Sequence, residues 1–319
     1  MRRAFVTGAH GLIGRWLVEA LLARDVEVSL LKRSPEKPSA LAAEGLEARC
    51  TVVPGDLSDL AALERAVAGH DTVFHLAAQS IVGTANRSPV ATFEVNVRGT
   101  WNLLEACRRD AVDRVVVAAS DKVYGPLTQL PYHEDSEFEA HFPYDVSKAC
   151  ADLITRSYFR TYGLPVAVAR LTNVYGPGDL EASRLVPELV ASVVAGRSPV
   201  IRSDGSPERD FIYAEDAASA YLAIADALEG GGAAGEAFNV GGDRPHAVRE
   251  VVTLLLDVAG VHAAADYRGR GVPPGEIDRK WVDSSKLRGL TGWAPRVELR
   301  EGLRRTVAWY RAHPDALGG

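Results

Sequence analysis

The sequence has no cysteine framework. Its three cysteines, Cys50, Cys107 and Cys150, stand far apart, with no CxxC pair and no spacing suited to a metal ion. That excludes a disulfide-stapled scaffold and fits free thiols in a reducing compartment. A long apolar run is missing too: no stretch approaches the roughly 20 residues that span a bilayer. The first residues reach a glycine turn without a secretory hydrophobic segment. Nor does one sign of charge dominate. Lys and Arg number 36 against 42 Asp and Glu, for a formal net charge of −6, and the two signs are interspersed. Neither a nucleic-acid footprint nor a polybasic membrane patch is indicated. No low-complexity linker divides the 319 residues, a length suited to one large domain or two intimately packed lobes. These absences leave the expectation of a cytoplasmic protein that handles small molecules, with no metal, nucleic acid or membrane as partner.

What is present begins with a short apolar strand at residues 4–7 that runs into GAHGLIG at residues 8–14. A helical pattern follows, with Leu12, Trp16, Leu17, Ala20 and Leu21 on one face. Glycines let the backbone turn tightly against a pyrophosphate, and the free N–H groups at the helix start attract that anion. Gly8, His10, Gly11, Leu12, Ile13 and Gly14 are therefore candidate dinucleotide contacts, on a GxxGxxG spacing. A second strand, residues 26–31, ends at Lys32 and Arg33. An acidic residue there would accept the ribose hydroxyls of NAD. Two cations suit the 2′-phosphate of NADP, which is slightly favoured over NAD, unless both are solvated loop charges.

A third strand, residues 51–54, leads to Asp56 and Leu57, where Asp56 either accepts the adenine amine or caps a helix. The fourth, residues 72–76, ends in Leu76, Ala77, Ala78 and Gln79, small enough in part to leave room for a cofactor. His75 lies inside that apolar run and reads as a satisfied core histidine. A long helix at residues 89–109 precedes a fifth strand, 114–119, that delivers Ser120 to its carboxyl end. A sixth strand, 166–170, stops just short of Asn173, a last one is expected at 237–240, and the remainder reads as helical. Alternating strands and helices indicate an α/β fold, a doubly wound parallel sheet of the Rossmann kind, whose ligands bind beyond the carboxyl ends of the strands. Residues 1–172, completed by about 210–240, would form that domain. Residues 173–209 and 241–319 would form a smaller substrate-binding lobe.

At the centre of the chain stands YDVSK, residues 144–148. Tyr144 and Lys148 are four apart at a helix start and share a face. The ammonium of Lys148 is expected to stabilise the phenolate of Tyr144 and bring it below its usual pKa of roughly 10.

Assembled, these residues resemble the extended short-chain dehydrogenase/reductase family, in its nucleotide-sugar epimerase and dehydratase branch. The matching pieces, in order, are TGAHGLIG at 7–14, GDL at 55–57, HLAA at 75–78, NVRGT at 96–100, SDKVYG at 120–125, YDVSK, NVYGP at 173–177, RDFIY at 209–213 and FNVG at 238–241. They cover nearly the whole length. The resemblance implies a bound NAD or NADP, with Asn96 among its contacts and Lys148 on the nicotinamide ribose. It places Ser120 and Tyr144 at the substrate hydroxyl and Asn173, Arg184 and Arg209 on a nucleotide-diphosphate hexose. Arg209 suits the diphosphate, or forms a salt bridge with Asp210 or Glu215 instead. A second family arginine is replaced by PPGE at 273–276, which leaves Arg279 or Arg270 to serve. A homodimer paired through helices 89–109 and 144–162 is also implied.

The branch divides after the serine. Its 4-epimerases carry small or uncharged residues there and its 4,6-dehydratases Asp-Glu, whereas this chain has Asp121 and Lys122, a pair similar to that of CDP-glucose 4,6-dehydratases. Oxidation at C4 acidifies the C5 proton, and loss of water from C6 then needs an acid and a base. Asp121 suits the acid and Lys122 the base where burial depresses its pKa. The expected activity is a nucleotide-hexose 4,6-dehydratase, with a 4-epimerase as the alternative. A dinucleotide-binding protein without catalysis would be expected to lack the tyrosine or the lysine.

Overall fold

The computed structural model describes residues 1–33, 38–242, 244–262, 264–271 and 277–317. Its strands in chain order are β1 (Arg3–Thr7), β2 (Glu27–Lys32), β3 (Thr51–Pro54), β4 (Thr72–His75), β5 (Arg114–Ser120), β6 (Val166–Leu171), β7 (Asn173–Tyr175), β8 (Val200–Ile201), β9 (Glu208–Tyr213), β10 (Ala237–Val240), β11 (Pro245–Ala247), β12 (Asp266–Tyr267) and β13 (Arg279–Lys280). Seven of them form one sheet in the order β10-β6-β5-β4-β1-β2-β3, parallel throughout. This is the doubly wound sheet that the alternation predicts, and β10 completes it beside β6 as expected.

The sheet is covered on both faces, so its central strands must be apolar on both. β4 and β6 are buried at every position and β5 at all but Ala118. Side-chain alternation splits each strand between two cores. Val116 packs with Leu17 and Leu21 of helix Leu12–Leu22 and with Ala217 and Tyr221 of helix Ala214–Glu229. Val115 and Val117 pack on the opposite face with Leu103 and Leu104 of helix Gly99–Arg109 and with Leu63 of helix Leu60–Val67.

Two expectations change. The helix read at residues 89–109 is broken into Pro89–Phe93 and Gly99–Arg109 by a π-helical turn, Glu94–Arg98, whose wider ring carries Asn96 inward. The segment after Val240 is not all helix, for it also yields β11, β12 and β13. β9 pairs with β7, β11 and β13 in a second sheet, and β12 pairs with β8. Apart from β9, these strands are two or three residues long, too short for a period-2 pattern to register in the sequence. Among the described residues no helix is long and apolar enough to cross a membrane.

Helix Pro143–Tyr162 starts with proline at its first turn and stops at Gly163, whose φ of 70° closes the C-terminus. It is tied to the sheet by Asp152, fully buried, against Arg170 of β6, 2.8 Å away and 1% exposed. Arg170 also donates to the Tyr124 hydroxyl at 2.7 Å and to the Glu134 carbonyl at 2.8 Å, and Tyr124 donates to Asn239 of β10 at 2.7 Å. One guanidinium thus links the catalytic-segment helix, the turn after β5 and two strands. Replacing Arg170 by Met takes one of two cations from the buried Asp152, which keeps Arg156 at 2.7 Å, and should lower stability by at most about 3–5 kcal/mol. Urea unfolding reads this directly, and an unchanged midpoint would show that the network does not hold the helix.

Candidate active site

The carboxyl ends of β1 to β6 open on one side into a cleft of about 1640 Å³. Gly8 has φ 76°, and a Cβ there would lie 2.5 Å from the Ala77 nitrogen. A Cβ on Gly14 would lie 2.3 Å from the Gly8 oxygen, so this glycine lets the helix start press against the turn. Gly11 differs, since its Cβ would meet only the Gly8 oxygen, at 3.4 Å, and the space beyond is open cleft. A turn closed by two glycines and open at the third is a cradle for an anion at a helix N-terminus.

The wall beyond β2 is less cationic than the sequence suggests. Lys32 pairs with Glu47 at 2.7 Å, and His10 reaches the same carboxylate at 2.6 Å. The Lys32 bond, ahead of the opposing burial, holds the Glu47 carboxyl below its usual range. Arg33 stays exposed on the cleft, near Asp56, whose carboxyl it helps to lower. Asp56 is not a helix cap. Its Oδ1 accepts from the Ser58 nitrogen at 2.9 Å, while Asp59 caps helix Leu60–Val67.

Farther in, His75 is the core residue its surroundings predict. Nδ1 lies 2.7 Å from the Thr7 hydroxyl and Nε2 lies 3.1 Å from the Thr100 hydroxyl. Thr100 gives its own proton to the Asn96 carbonyl at 2.6 Å, so Nε2 carries the imidazole proton and Nδ1 accepts. Burial, and then Lys148, push this histidine down to about 3, and it stays neutral.

Tyr144, Lys148 and Ser120 face the cleft together. Lys148 donates to the Ala118 carbonyl at 2.9 Å, and burial pushes its ammonium down to about 8. Tyr144 goes the other way. Burial raises it to about 12, with the Ser120 hydroxyl bond pulling down and Asp121 pushing up. The expected depression by Lys148 is therefore not built into the protein alone, because removal of the phenol from water is the larger effect. Beside them Ser120 donates to Asp121 at 3.3 Å, and both Asp121 oxygens accept from the ammonium of Lys280 at 2.7 and 2.9 Å. Lys122 is half-buried on the same wall.

With this geometry the chain was compared with known proteins, and residues 4–241 match the NAD dependent epimerase/dehydratase family. The chain belongs to that family. A dTDP-glucose 4,6-dehydratase of Streptomyces griseus is 34% identical over 320 residues, covering 97% of this chain and 94% of the relative. That of Escherichia coli is 32% identical over 339 residues, covering 97% and 92%. Among solved structures, a dTDP-glucose 4,6-dehydratase of Streptomyces venezuelae with NAD bound superposes with a TM-score of 0.89 at 33% identity, covering 98% of each chain. A UDP-glucose 4-epimerase of Stenotrophomonas maltophila, also with NAD, has a TM-score of 0.91 at 26% identity, covering 99% and 100%. Both sides of the branch are thus represented, and the dehydratases are named for dTDP-glucose rather than the CDP-glucose suggested by Asp121 and Lys122.

The residues fit the family's dinucleotide. Besides the open glycine, two buried hydroxyls that line the cleft, Thr172 Oγ1 and Tyr221 Oη, have no hydrogen-bond partner within the protein. Buried polar groups left in this way are what a bound polar ligand satisfies.

Of the site residues expected from the sequence, all but Asn96, Arg279 and its alternative Arg270 line the cleft. Asn96 does not: it is buried, accepts from the Gln79 nitrogen at 2.7 Å and donates to the Gln79 carbonyl and the Ser147 hydroxyl. It shapes the loop after β4 and touches no cofactor space. Arg279 is bound outward to Glu208 at 2.7 Å, over the Trp281 ring, and neither it nor Arg270 lines the cleft. The PPGE stretch at 273–276 lies outside the described residues. Arg209 does line it, its Nη1 donating to the Glu208 and Asp278 carbonyls at 2.9 and 3.0 Å, while Glu215 is engaged by Arg305. Arg184 spans Asp179 and Ser80, and Asn173 donates to the Asp210 carbonyl. Sequence reasoning missed Glu47, Thr172, Tyr221 and Lys280. None sits in a local pattern that marks it, since each is brought in by tertiary packing.

Gly14→Ala should release the dinucleotide, because the added methyl would meet the Gly8–Ala9 backbone within 2.8 Å and has nothing flexible to displace. Purified parent should yield nucleotide on acid extraction and the variant little, with folded content checked by circular dichroism. Equal yields from folded protein would remove the glycine turn from the binding site.

Proposed function

We propose that the chain is a nucleotide-hexose 4,6-dehydratase. The observation that carries this is the buried Asp121, with Lys122 and Lys280 around it, immediately beyond the Ser120, Tyr144 and Lys148 constellation. The full-length likeness to dTDP-glucose 4,6-dehydratases supports it. A 4-epimerase would use only the first three residues, and ionisable groups directly beside them would have no reaction to serve.

The dinucleotide, held by the Gly8 turn, the small residues after β4 and Lys148, supplies an acceptor for the C4 hydrogen and returns it at C6. Tyr144 gives its own proton to solvent as the ligand fills the cleft and, as phenolate, takes the C4 hydroxyl proton, and Ser120 hydrogen-bonds the same oxygen. Lys148, cationic below about pH 8, offsets the charge that develops on the phenol as the ligand fills the cleft. Asp121 acts as the acid at the departing C6 oxygen and Lys122 as the base toward C5. Asn173, Arg184 and Arg209 bind the nucleotide-diphosphate end, where planar guanidinium groups suit paired phosphate oxygens. Residues 1–172 with the strand near 237–240 carry the cofactor, and 173–209 with 241–319 carry the sugar nucleotide. The choice of cofactor rests on Arg33, because Lys32 is held by Glu47. We favour NADP slightly on that one cation, and chromatography of the extracted nucleotide decides it, NAD alone counting against the reading.

The protein is further read as a cytoplasmic homodimer. Val90, Phe93, Trp101, Leu153 and Tyr162 are exposed on helices Pro89–Phe93, Gly99–Arg109 and Pro143–Tyr162, an apolar surface that a second copy would cover. Light scattering at micromolar concentration should give twice the chain mass, and a monomer would refute the pairing.

The decisive experiment is incubation with UDP-, dTDP-, CDP- and GDP-hexoses followed by mass spectrometry. Loss of one water marks a dehydratase, and an isomer of unchanged mass marks an epimerase. Substituting Asp121→Ala with Lys122→Ala should slow water loss about 100- to 10,000-fold while the first oxidation continues, so that reduced dinucleotide and a 4-keto hexose accumulate. Turnover within about threefold of the parent would transfer the assignment to the 4-epimerase.

A further inference from the structure

Lys280 has no part in that scheme, yet it is the residue most closely bound to the acid. The two side chains of the pair are 3% and 2% exposed. Burying both ions costs several kcal/mol each, and their attraction offsets this only in part, so such a pair is a poor device for stability. The contacts continue on the other side of Asp121. Ser120 donates to it at 3.3 Å, and the same hydroxyl lies close enough to the Tyr144 phenol to pull its pKa down against the larger effect of burial. A line of polar groups therefore runs from Tyr144 through Ser120 and Asp121 to Lys280.

We propose that Lys280 is the proton store for Asp121 during elimination, refilled along this line by the proton that Tyr144 removes from the C4 hydroxyl. The inference rests on the dehydratase reading. With both carboxylate oxygens accepting from the ammonium, the resting pair carries its proton on Lys280, so Asp121 can act as an acid only by drawing on it. In the elimination the C5–H electron pair becomes the second bond between C5 and C6. The C6–O pair leaves with the oxygen, which takes a proton from Asp121 as Asp121 takes one from Lys280. The proton removed from C5 returns to C5 when C6 is reduced. Tyr144 is then one proton rich and Lys280 one proton poor. Transfer through Ser120 and Asp121 restores both without solvent.

The surroundings of Lys280 suit a group that must release a proton near neutrality. Burial pushes its amine down to about 8, with Asp121 opposing and Lys122 and Arg209 assisting. The charged groups facing it come from three elements: Asp121 and Lys122 from the turn after β5, Asp145 from helix Pro143–Tyr162, and Arg209 and Asp210 from β9. Tyr132, whose phenol burial raises and the Asp121 charge raises further, is near Asp121 as well. Lys280 is thus a positioning and relay residue that acts through Asp121.

Two substitutions separate a store from an anchor. Lys280→Arg keeps a cation on Asp121 but cannot give up a proton at working pH, and Lys280→Met removes both properties. If the parent fails to remove water from any nucleotide hexose, the dehydratase reading falls and this inference falls with it. With a dehydrating parent, single-turnover absorbance follows reduced dinucleotide, whose rise reports C4 oxidation and whose decay follows elimination. Both variants should keep the rise within about threefold and slow the decay about 100-fold or more. The parent's decay should slow as pH climbs through about 8, where Lys280 loses its proton. Lys148 titrates in the same range, so the limb that counts is the part the rise does not share, and the Met variant should lack that part. Recovery of the parent's decay by Lys280→Arg would make Lys280 an anchor and overturn the proposal, as would a Met variant that keeps the limb. Should either variant also lose the rise, lysine resonances of ¹³C-labelled parent decide. A titration near pH 8 that is missing from the Lys280→Arg spectrum supports the store, and a Lys280 that titrates above about 10, as free lysine does, overturns it.

Discussion

Parallel pairing is the constraint from which the rest follows. When strands run the same way, every carboxyl end falls at one edge, and every crossover must return over a face, which buries both faces and forces the loops to that edge. Six consecutive strands here deliver the glycine turn, Lys32 and Arg33, Asp56, the Leu76–Gln79 segment, Ser120 and Asn173 to a single cleft. No side chain has to reach far. The sheet supplies convergence, and the second set of strands, β7, β9, β11 and β13, supplies a wall that closes over it.

That division explains what the sequence reveals. Gly8, Gly11 and Gly14, or Tyr144 and Lys148, are legible because the chemistry needs them a few residues apart on one turn or one helix face. Lys280 and Glu47 are not. Each works through a partner more than a dozen positions away, Asp121 and Lys32 respectively, and nothing near either residue signals the pairing. The error at Arg279 is of another kind. Neighbouring residues on a strand face opposite sides, and the carry-over from the family settled on the position next to the one that enters the cleft. Arg279 turns out to Glu208 while Lys280 turns in to Asp121. Asn96 shows the limit from the other side, since an amide with its bonds made inside the protein looks, in sequence, the same as one aimed at a ligand.

The cleft is also more strongly charged inside than a net charge of −6 would suggest. Lys122, Lys148, Lys280, Arg184 and Arg209 line it against Asp121, Asp145 and Asp179. Asp210 sits just behind, raised by burial to about 7, with one oxygen unsatisfied and the other accepting from the Gly242 nitrogen at 2.8 Å. A group so close to neutrality can change its charge when a diphosphate enters, whereas the guanidinium groups of Arg184 and Arg209 keep theirs. The excess of cations favours an anionic ligand end, while Asp121 and Asp145 lie close enough to repel each other beside Ser120.

Charge buried beyond the shared constellation bears on which of the two reactions the cleft is built for. An epimerase acts at one carbon and needs one base, the tyrosine, with a serine and a lysine to support it. Nothing in that cycle ionises at C5 or C6, so an ion pair buried alongside would carry a desolvation penalty of several kcal/mol per ion with no step to repay it. Apolar side chains of similar size would pack that space at no such cost. Elimination reverses the argument, since the oxygen at C6 leaves poorly without a proton and the hydrogen at C5 leaves poorly without a base, each worth about 100- to 10,000-fold in rate. Under the proposed scheme, Asp121 and Lys280 would be costly for the fold and useful for that step, and the polar line that joins them to Ser120 and Tyr144 would couple the second reaction to the first.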